Sequence, residues 1–212
     1  MSATQPPASE TQAQTDSKQT EKTALRRSLL KTRRALSQEI WRENSDRICA
    51  HLQSCDRFVQ ARTILSYVSV RQEPDLSPLW NLPRQWGLPR CVDKSLAWHV
   101  WSPTQSLHLG AHNIPEPSAN NPILQSEDVE LILVPAVACD RRGYRLGYGG
   151  GFYDRLLSLP GWANKPTIGI VFDFARLPVL AIDTWDRPLQ AVCTEAGLFE
   201  SEVDDGFSLR TY

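Results

Sequence analysis

Three segments between residues 129 and 159 constrain this chain most. Residues 129–137 (Val-Glu-Leu-Ile-Leu-Val-Pro-Ala-Val) are a near-continuous apolar run. Residues 143–155 (Gly-Tyr-Arg-Leu-Gly-Tyr-Gly-Gly-Gly-Phe-Tyr-Asp-Arg) follow, with glycine at 143, 147, 149, 150 and 151. Residues 152–159 (Phe-Tyr-Asp-Arg-Leu-Leu-Ser-Leu) then show apolar periodicity. The order reads as buried strand, glycine-rich loop and helix start. Further strands are expected at residues 63–70 and 166–172, with helical patterns at 21–36 and after Ser37. This alternation indicates one three-layer αβα domain of the α/β class with a mostly parallel sheet.

A glycine-rich loop presents bare backbone N–H groups, and a helix start adds positive dipole, so an anion is favoured there. Arg141, Arg142, Arg145 and Arg155 add side-chain charge. Asp154 is an acid beside that anion site, which makes most sense if magnesium lies between it and a polyphosphate. Two familiar phosphate motifs do not fit. No Lys-Ser/Thr follows the glycines as a P-loop requires, and counting from Gly147 and Gly149 puts Phe152 where a dinucleotide fingerprint needs glycine. A tightly turning surface loop is the plain alternative for any generic glycine-rich stretch.

The chain's 212 residues suffice for one domain with a sizeable core. Apolar content of 41% and a net charge of −1 give no general reason to expect nucleic acid or a membrane as partner, and no apolar run approaches a membrane span. The five cysteines are an odd number with no Cys-x-x-Cys, so reduced thiols are the default. Cys49 with His51, and His108 with His112, lack a matching partner pair for a metal. Residues 1–20 are Gln, Thr, Ser, Ala and Pro without periodicity and read as a disordered tail. They lack an apolar signal core, and Glu10 and Asp16 argue against a transit peptide, so a cytoplasmic location is expected.

In the first helix, Leu25, Leu29, Thr32 and Leu36 share a face, and Lys22 and Arg26, four apart, share another. Like charges at that spacing repel, a cost that a phosphate between them would remove; a solvated basic face is the alternative. Ser37 is a candidate N-cap, with Glu39 in the first turn and Trp41, Ile48 and Leu52 as a packing stripe. Glu73 lies in the loop after the 63–70 strand, where ligands gather in open α/β sheets. Residues 88–92 and 97–101 suit a pair of strands, and Trp98 and Trp101 suit core packing, with the wall of a ligand pocket as the alternative. Ile114-Pro-Glu-Pro117 is a rigid turn.

The string from Val134 through Asp140 and Gly143 to Arg155 resembles the signature of the 5-formyltetrahydrofolate cyclo-ligase (5,10-methenyltetrahydrofolate synthetase) family. It departs at Phe152, where tyrosine is usual, and at Cys139, where phenylalanine is common. Lys22-Thr-Ala-Leu-Arg26 and Tyr67-x-Ser69-x3-Glu73 match two further motifs, and the Glu-Pro of the 114–117 turn resembles a third. The resemblance spans residues 21–198 as a catalytic domain, leaving 199–212 as a peripheral segment, and implies a Rossmann-like fold. It implies an ATP- and magnesium-dependent conversion of 5-formyltetrahydrofolate to 5,10-methenyltetrahydrofolate, in the cytoplasm and as a monomer. The implied ATP contacts are Lys22, Arg26, Arg145, Leu146, Gly147, Tyr148, Gly149, Gly150, Gly151, Phe152 and Tyr153. For the folate they are Val68, Glu73, Tyr148, Gly149, Gly150, Gly151 and Phe152, with Glu73 facing the pterin's N–H donors. Arg145, Tyr153 and Asp154 form the implied catalytic set. Alignment back from Thr194-Glu195 makes Asp186 the second magnesium ligand beside Asp154, with Asp183 as its competitor and Trp185 where histidine is common. A nucleotide- and folate-binding protein without catalysis is the alternative on the same scaffold. A nicotinamide-dinucleotide enzyme is opposed by the failed glycine spacing.

Overall fold

The computed structural model describes residues 8–202. The readings of residues 1–7 as tail and of 203–212 as peripheral lie outside the described residues. In chain order the helices are α1 (Ala8–Arg34), α2 (Gln38–Gln53), α3 (Asp56–Gln60) and α4 (Phe152–Ser158). The strands are β1 (Thr63–Leu65), β2 (Gln85–Val92), β3 (Ser95–Trp101), β4 (His108–Leu109), β5 (Pro115–Glu116), β6 (Leu131–Pro135), β7 (Ala138–Asp140), β8 (Arg145–Leu146), β9 (Thr167–Ile170), β10 (Arg176–Leu177), β11 (Ala191–Thr194) and β12 (Gly197–Glu200).

The main sheet has the order β12-β11-β9-β6-β1-β2-β3. Neighbours from β11 through β2 are parallel, and β12 and β3 close the two edges antiparallel. Its central strands are apolar throughout because both faces are covered. Along β6, Leu131 and Leu133 enter one core with Ile48 and Leu52 of α2 and Phe58 of α3. The alternate residues Ile132 and Val134 enter the other core with Leu29 of α1 and Leu156 and Leu157 of α4. One period-two strand thus serves two cores, which makes the three layers. Ser37 caps α2, its Oγ accepting from the Ile40 N–H at 3.2 Å. Trp98 and Trp101 are core residues, 1% and 5% exposed. Among the described residues no helix is long and apolar enough to cross a membrane.

Three expectations are corrected. The first helix begins at Ala8, inside the segment read as a disordered tail, and not at Glu21. The strand expected at 63–70 ends at Leu65. Beyond it local bonds take over: the Tyr67 hydroxyl donates to the Pro74 carbonyl at 2.7 Å and the Ser69 hydroxyl to the Glu73 carbonyl at 2.7 Å, folding 66–75 into a loop. The glycine-rich loop, finally, does not follow the central strand directly. Between β6 and the loop stands a hairpin, β7 and β8, which with β10 forms a second small sheet.

That hairpin turns on Asp140, which is fully buried. Its carboxylate accepts from the N–H groups of Arg142, Tyr144 and Leu180, each at 3.0 Å, and from the Arg142 guanidinium at 2.7 and 3.0 Å. Gly143 follows at φ 85°, and a Cβ there would lie 2.0 Å from the Leu189 carbonyl oxygen. The signature's aspartate and first glycine therefore shape the turn that launches the loop.

Candidate active site

The loops after β1 and β8 converge with the end of β6 around a cavity of about 370 Å³. Residues 68–73 form one wall. The β4–β5 ribbon forms another through Ile114 and Glu116, and the glycine-rich loop with the start of α4 forms the third.

At one end, Arg145 is almost fully covered, its side chain 4% exposed. It donates to Asp154 Oδ1 at 2.6 Å and to the Arg187 carbonyl at 2.7 Å. α4 carries Asp154 in its first turn, so the ion pair ties the strand before the loop to the helix after it. The Tyr153 ring lies 6.0 Å from the Arg145 guanidinium, and burial pushes its phenol well above the ordinary range. At the other end Glu73 is 3% exposed. Its Oε1 accepts from the Tyr148 hydroxyl at 2.8 Å and its Oε2 from the Val70 N–H at 3.2 Å. Burial raises the Glu73 carboxyl above its usual range, against the opposing pull of Arg33, Tyr148, Val70 and Arg71. Tyr148 is pushed up to about 12, mainly by burial, and so is a neutral donor to the carboxylate.

The loop between these ends is open where it matters. A Cβ at Gly147 or Gly149 would meet no atom within 4 Å. Packing within the protein therefore does not require glycine at 147. Gly151 caps α4 at φ 65°.

The cavity brings together Val68, Glu73, Arg145, Gly147, Tyr148, Gly150, Gly151, Phe152, Tyr153 and Asp154 from the sequence reading. Gly149 is exposed at its rim. Leu146 is different: its side chain is 4% exposed and packs in the core, so only its backbone is available to a ligand. Lys22 and Arg26 sit behind the loop. Arg26 Nε donates to the Gly147 carbonyl at 2.7 Å. Lys22 Nζ donates to Asp183 at 2.7 Å and to Asp186 at 2.9 Å, all three side chains less than one-fifth exposed. Burial alone would lower the Lys22 ammonium; the hydrogen bonds and charges of the two aspartates outweigh it and raise it. The two aspartates treated as competitors therefore share one lysine, and the Asp183 N–H donates to Asp186 at 2.9 Å.

Sequence reasoning missed Arg33, which is 4% exposed and donates to the Tyr148 hydroxyl. The signal was present: residues 22, 26, 29 and 33 lie on one helical face, with buried Leu29 between the cations. It also missed His112, whose ring meets Phe152 edge-on at 6.0 Å, and Arg71, which lies over the Tyr148 ring at 5.2 Å.

The chain is similar to a known family over most of its length. Residues 18–195 match the model of the 5-formyltetrahydrofolate cyclo-ligase family. The 5-formyltetrahydrofolate cyclo-ligase of Escherichia coli (strain K12) is 30% identical over 178 residues, which cover 79% of this chain and 97% of that protein. The enzyme of the same name from Mycolicibacterium smegmatis is 30% identical over 186 residues, covering 82% and 93%. Among solved structures, the 5,10-methenyltetrahydrofolate synthetase of Aquifex aeolicus superposes with a TM-score of 0.77 at 32% identity, covering 90% of this chain and 97% of that one.

Proposed function

The chain belongs to the 5-formyltetrahydrofolate cyclo-ligase family of enzymes, and from that premise we propose that it uses ATP and magnesium to close 5-formyltetrahydrofolate to 5,10-methenyltetrahydrofolate. One observation carries the reading: a single loop joins both ends of the cavity. Residues 147–152 border the Arg145–Asp154 pair on one side, and through Tyr148 they reach Glu73 on the other. A polyphosphate and a folate would meet along the same stretch of bare backbone.

The formyl oxygen is a poor leaving group. Transfer of the γ-phosphoryl group to it releases ADP and gives an imidate-like phosphate. N10 of the same substrate then attacks the formyl carbon and loses its proton to solvent. Phosphate departs with the C–O bonding pair, leaving the methenyl bridge. Such chemistry needs positioning and charge neutralisation more than a protein nucleophile. The loop N–H groups and Arg145 orient the triphosphate, with Arg26 bracing the loop from behind through Gly147. Glu73 receives the pterin's N–H groups, and Val68 and Phe152 enclose the ring. Tyr153 borders the nucleotide beneath Arg145.

Asp154 and Asp186 fit a magnesium ion as hard oxygen donors. No group of three or more potential ligands assembles among the described residues, and a site completed by substrate phosphates needs none. Bound there, magnesium would offset negative charge on the transferring phosphates. The Lys22–Asp183–Asp186 cluster is complementary to such a ligand: the carboxylates suit the cation and the ammonium suits the phosphates. Lys22→Ala is accordingly expected to raise the KM for ATP about tenfold or more, with the folate KM within about twofold of wild type. Unchanged nucleotide affinity would reduce Lys22 to a structural tie between α1 and the 183–186 loop.

The direct test is near-ultraviolet absorbance of the protein with 5-formyltetrahydrofolate, magnesium and ATP. The product's conjugated amidinium absorbs where the substrate does not, so an ATP-dependent band is the expected result. A folded protein that binds ATP but yields no band would be a nucleotide- and folate-binding protein that does not cyclise.

A further inference from the structure

Among the described residues Arg33 is the only arginine or lysine buried over its whole residue, backbone included, at 4% exposure. A cation is not buried cheaply, and one at 4% exposure calls for a partner. Three of its contacts converge on the folate end of the cavity. Nη2 donates to the Tyr148 hydroxyl, which donates to Glu73 Oε1 at 2.8 Å. Nε donates to the Arg71 carbonyl at 3.1 Å. The guanidinium also lies 5.6 Å from the centre of the Tyr148 ring. Arg71 and Gln72 both stand at positive φ, 52° and 58°, immediately before Glu73. Two successive non-glycine residues in that region cost energy and persist only where neighbours hold them. Arg33 is one such neighbour.

We infer that Arg33 is a positioning residue for the folate site: it answers the buried charge of Glu73 and, through the Tyr148 hydroxyl and the Arg71 carbonyl, fixes the direction in which that carboxylate faces the substrate. The inference rests on the folate-binding reading of Glu73 given above. It places an unassigned residue of α1 at the folate, on the same helix whose Lys22 and Arg26 stand at the nucleotide end.

The consequence is a pH dependence. The ionisable groups facing Glu73 are Arg33 from α1, Arg71 from its own loop, Tyr148 from the glycine-rich loop, Tyr67 beyond β1 and Tyr153 from α4. Of these, Arg33, the hydrogen bond from the Tyr148 hydroxyl and Arg71 favour its charged form, Arg33 most of all, and Arg71 is exposed. Burial already raises the Glu73 carboxyl. A group that binds as its anion works above its pKa and fails as pH falls through it. Removing Arg33 raises that pKa further, so the failure moves to higher pH.

Calorimetric titration of the full chain with 5-formyltetrahydrofolate between pH 5.5 and 8.5 tests this without requiring turnover. For Arg33→Met, Kd should rise about tenfold or more at neutral pH, and its acidic loss of affinity should begin about 1 pH unit or more above that of wild type. Arg33→Lys keeps the charge but not the fork, so its onset should stay near wild type while affinity falls at every pH. Profiles for both variants that run parallel to wild type would show a merely structural role and overturn the inference. Should Arg33→Met fail to fold, an onset in Arg33→Lys displaced about 1 pH unit or more to the alkaline side of wild type would overturn it equally. If wild type binds no folate at any pH, the reading of Glu73 itself falls, and this inference with it.

Discussion

Asp154→Asn is expected to lower the rate of methenyl formation about 10³-fold or more while the protein stays folded. The substitution is nearly isosteric. Asparagine retains an oxygen for the Arg145 guanidinium, which Asp154 holds at 2.6 Å, so the orientation of that arginine is largely kept. What disappears is the negative charge beside the triphosphate, and with it a hard ligand for magnesium. The Asp154 side chain is 26% exposed, so the pair contributes modestly to stability. Tm should move by no more than about 3 °C, since 1 kcal/mol corresponds to about 2–4 °C in a chain of this size. The assay is the rate of ATP-dependent absorbance growth at increasing magnesium. A variant that regained wild-type rate at high magnesium would confirm the ligand role by mass action. Near-wild-type turnover at low magnesium would remove Asp154 from the metal and leave it as a support for Arg145.

The sheet was legible in the sequence because its central strands are apolar on both faces, as 131–134 are, and no other element needs that pattern in so short a run. The antiparallel pair at 88–92 and 97–101 was legible instead as two short apolar runs close in sequence, each interrupted by a polar residue, Arg90 and His99. The glycine-rich loop was legible as an anion site from composition and flanking segments. The cavity around it was legible only through the family resemblance, because the residues that line it, Glu73, Glu116 and Tyr148 among them, lie far apart in the chain. Periodicity also has a floor. β7 and β8 are three and two residues long, too short to show a period, so the hairpin between the central strand and the loop was read as part of the loop. At the N-terminus the apolar signal stops at Leu25, whereas α1 continues to Ala8 through Ala, Glu, Gln and Lys, which favour helix without any apolar face. Arg33 was overlooked because a lysine- and arginine-rich helix face usually meets solvent, and only the fold shows that this part of it does not.

Asp140→Ala is the second large effect, and it should appear in stability before activity. The carboxylate is fully buried and accepts five hydrogen bonds, three from backbone N–H groups and two from the Arg142 guanidinium. Alanine leaves those N–H groups without their acceptor in a turn too tight for neighbours to replace it, and it removes the partner of a guanidinium that is itself only 26% exposed. Breaking a buried pair costs about 3–5 kcal/mol, and each orphaned donor adds to it. A loss of about 4 kcal/mol or more, read as a fall in Tm of roughly 8–16 °C, is expected. The position also links two parts of the site. Its Oδ1 holds the turn that leads to Arg145, and its Oδ2 holds Leu180, just before Asp183 and Asp186. Activity at temperatures where the variant remains folded should therefore fall as well. Asp140→Asn decides between shape and charge. The amide oxygen can serve the Arg142 and Tyr144 N–H groups, but the amide nitrogen then faces the Arg142 guanidinium and the Leu180 N–H, donor against donor. Asparagine should consequently be little better than alanine. Recovery of most of the lost stability in the asparagine variant would show that the turn alone needs this residue and that the tie to the 180–186 loop is dispensable.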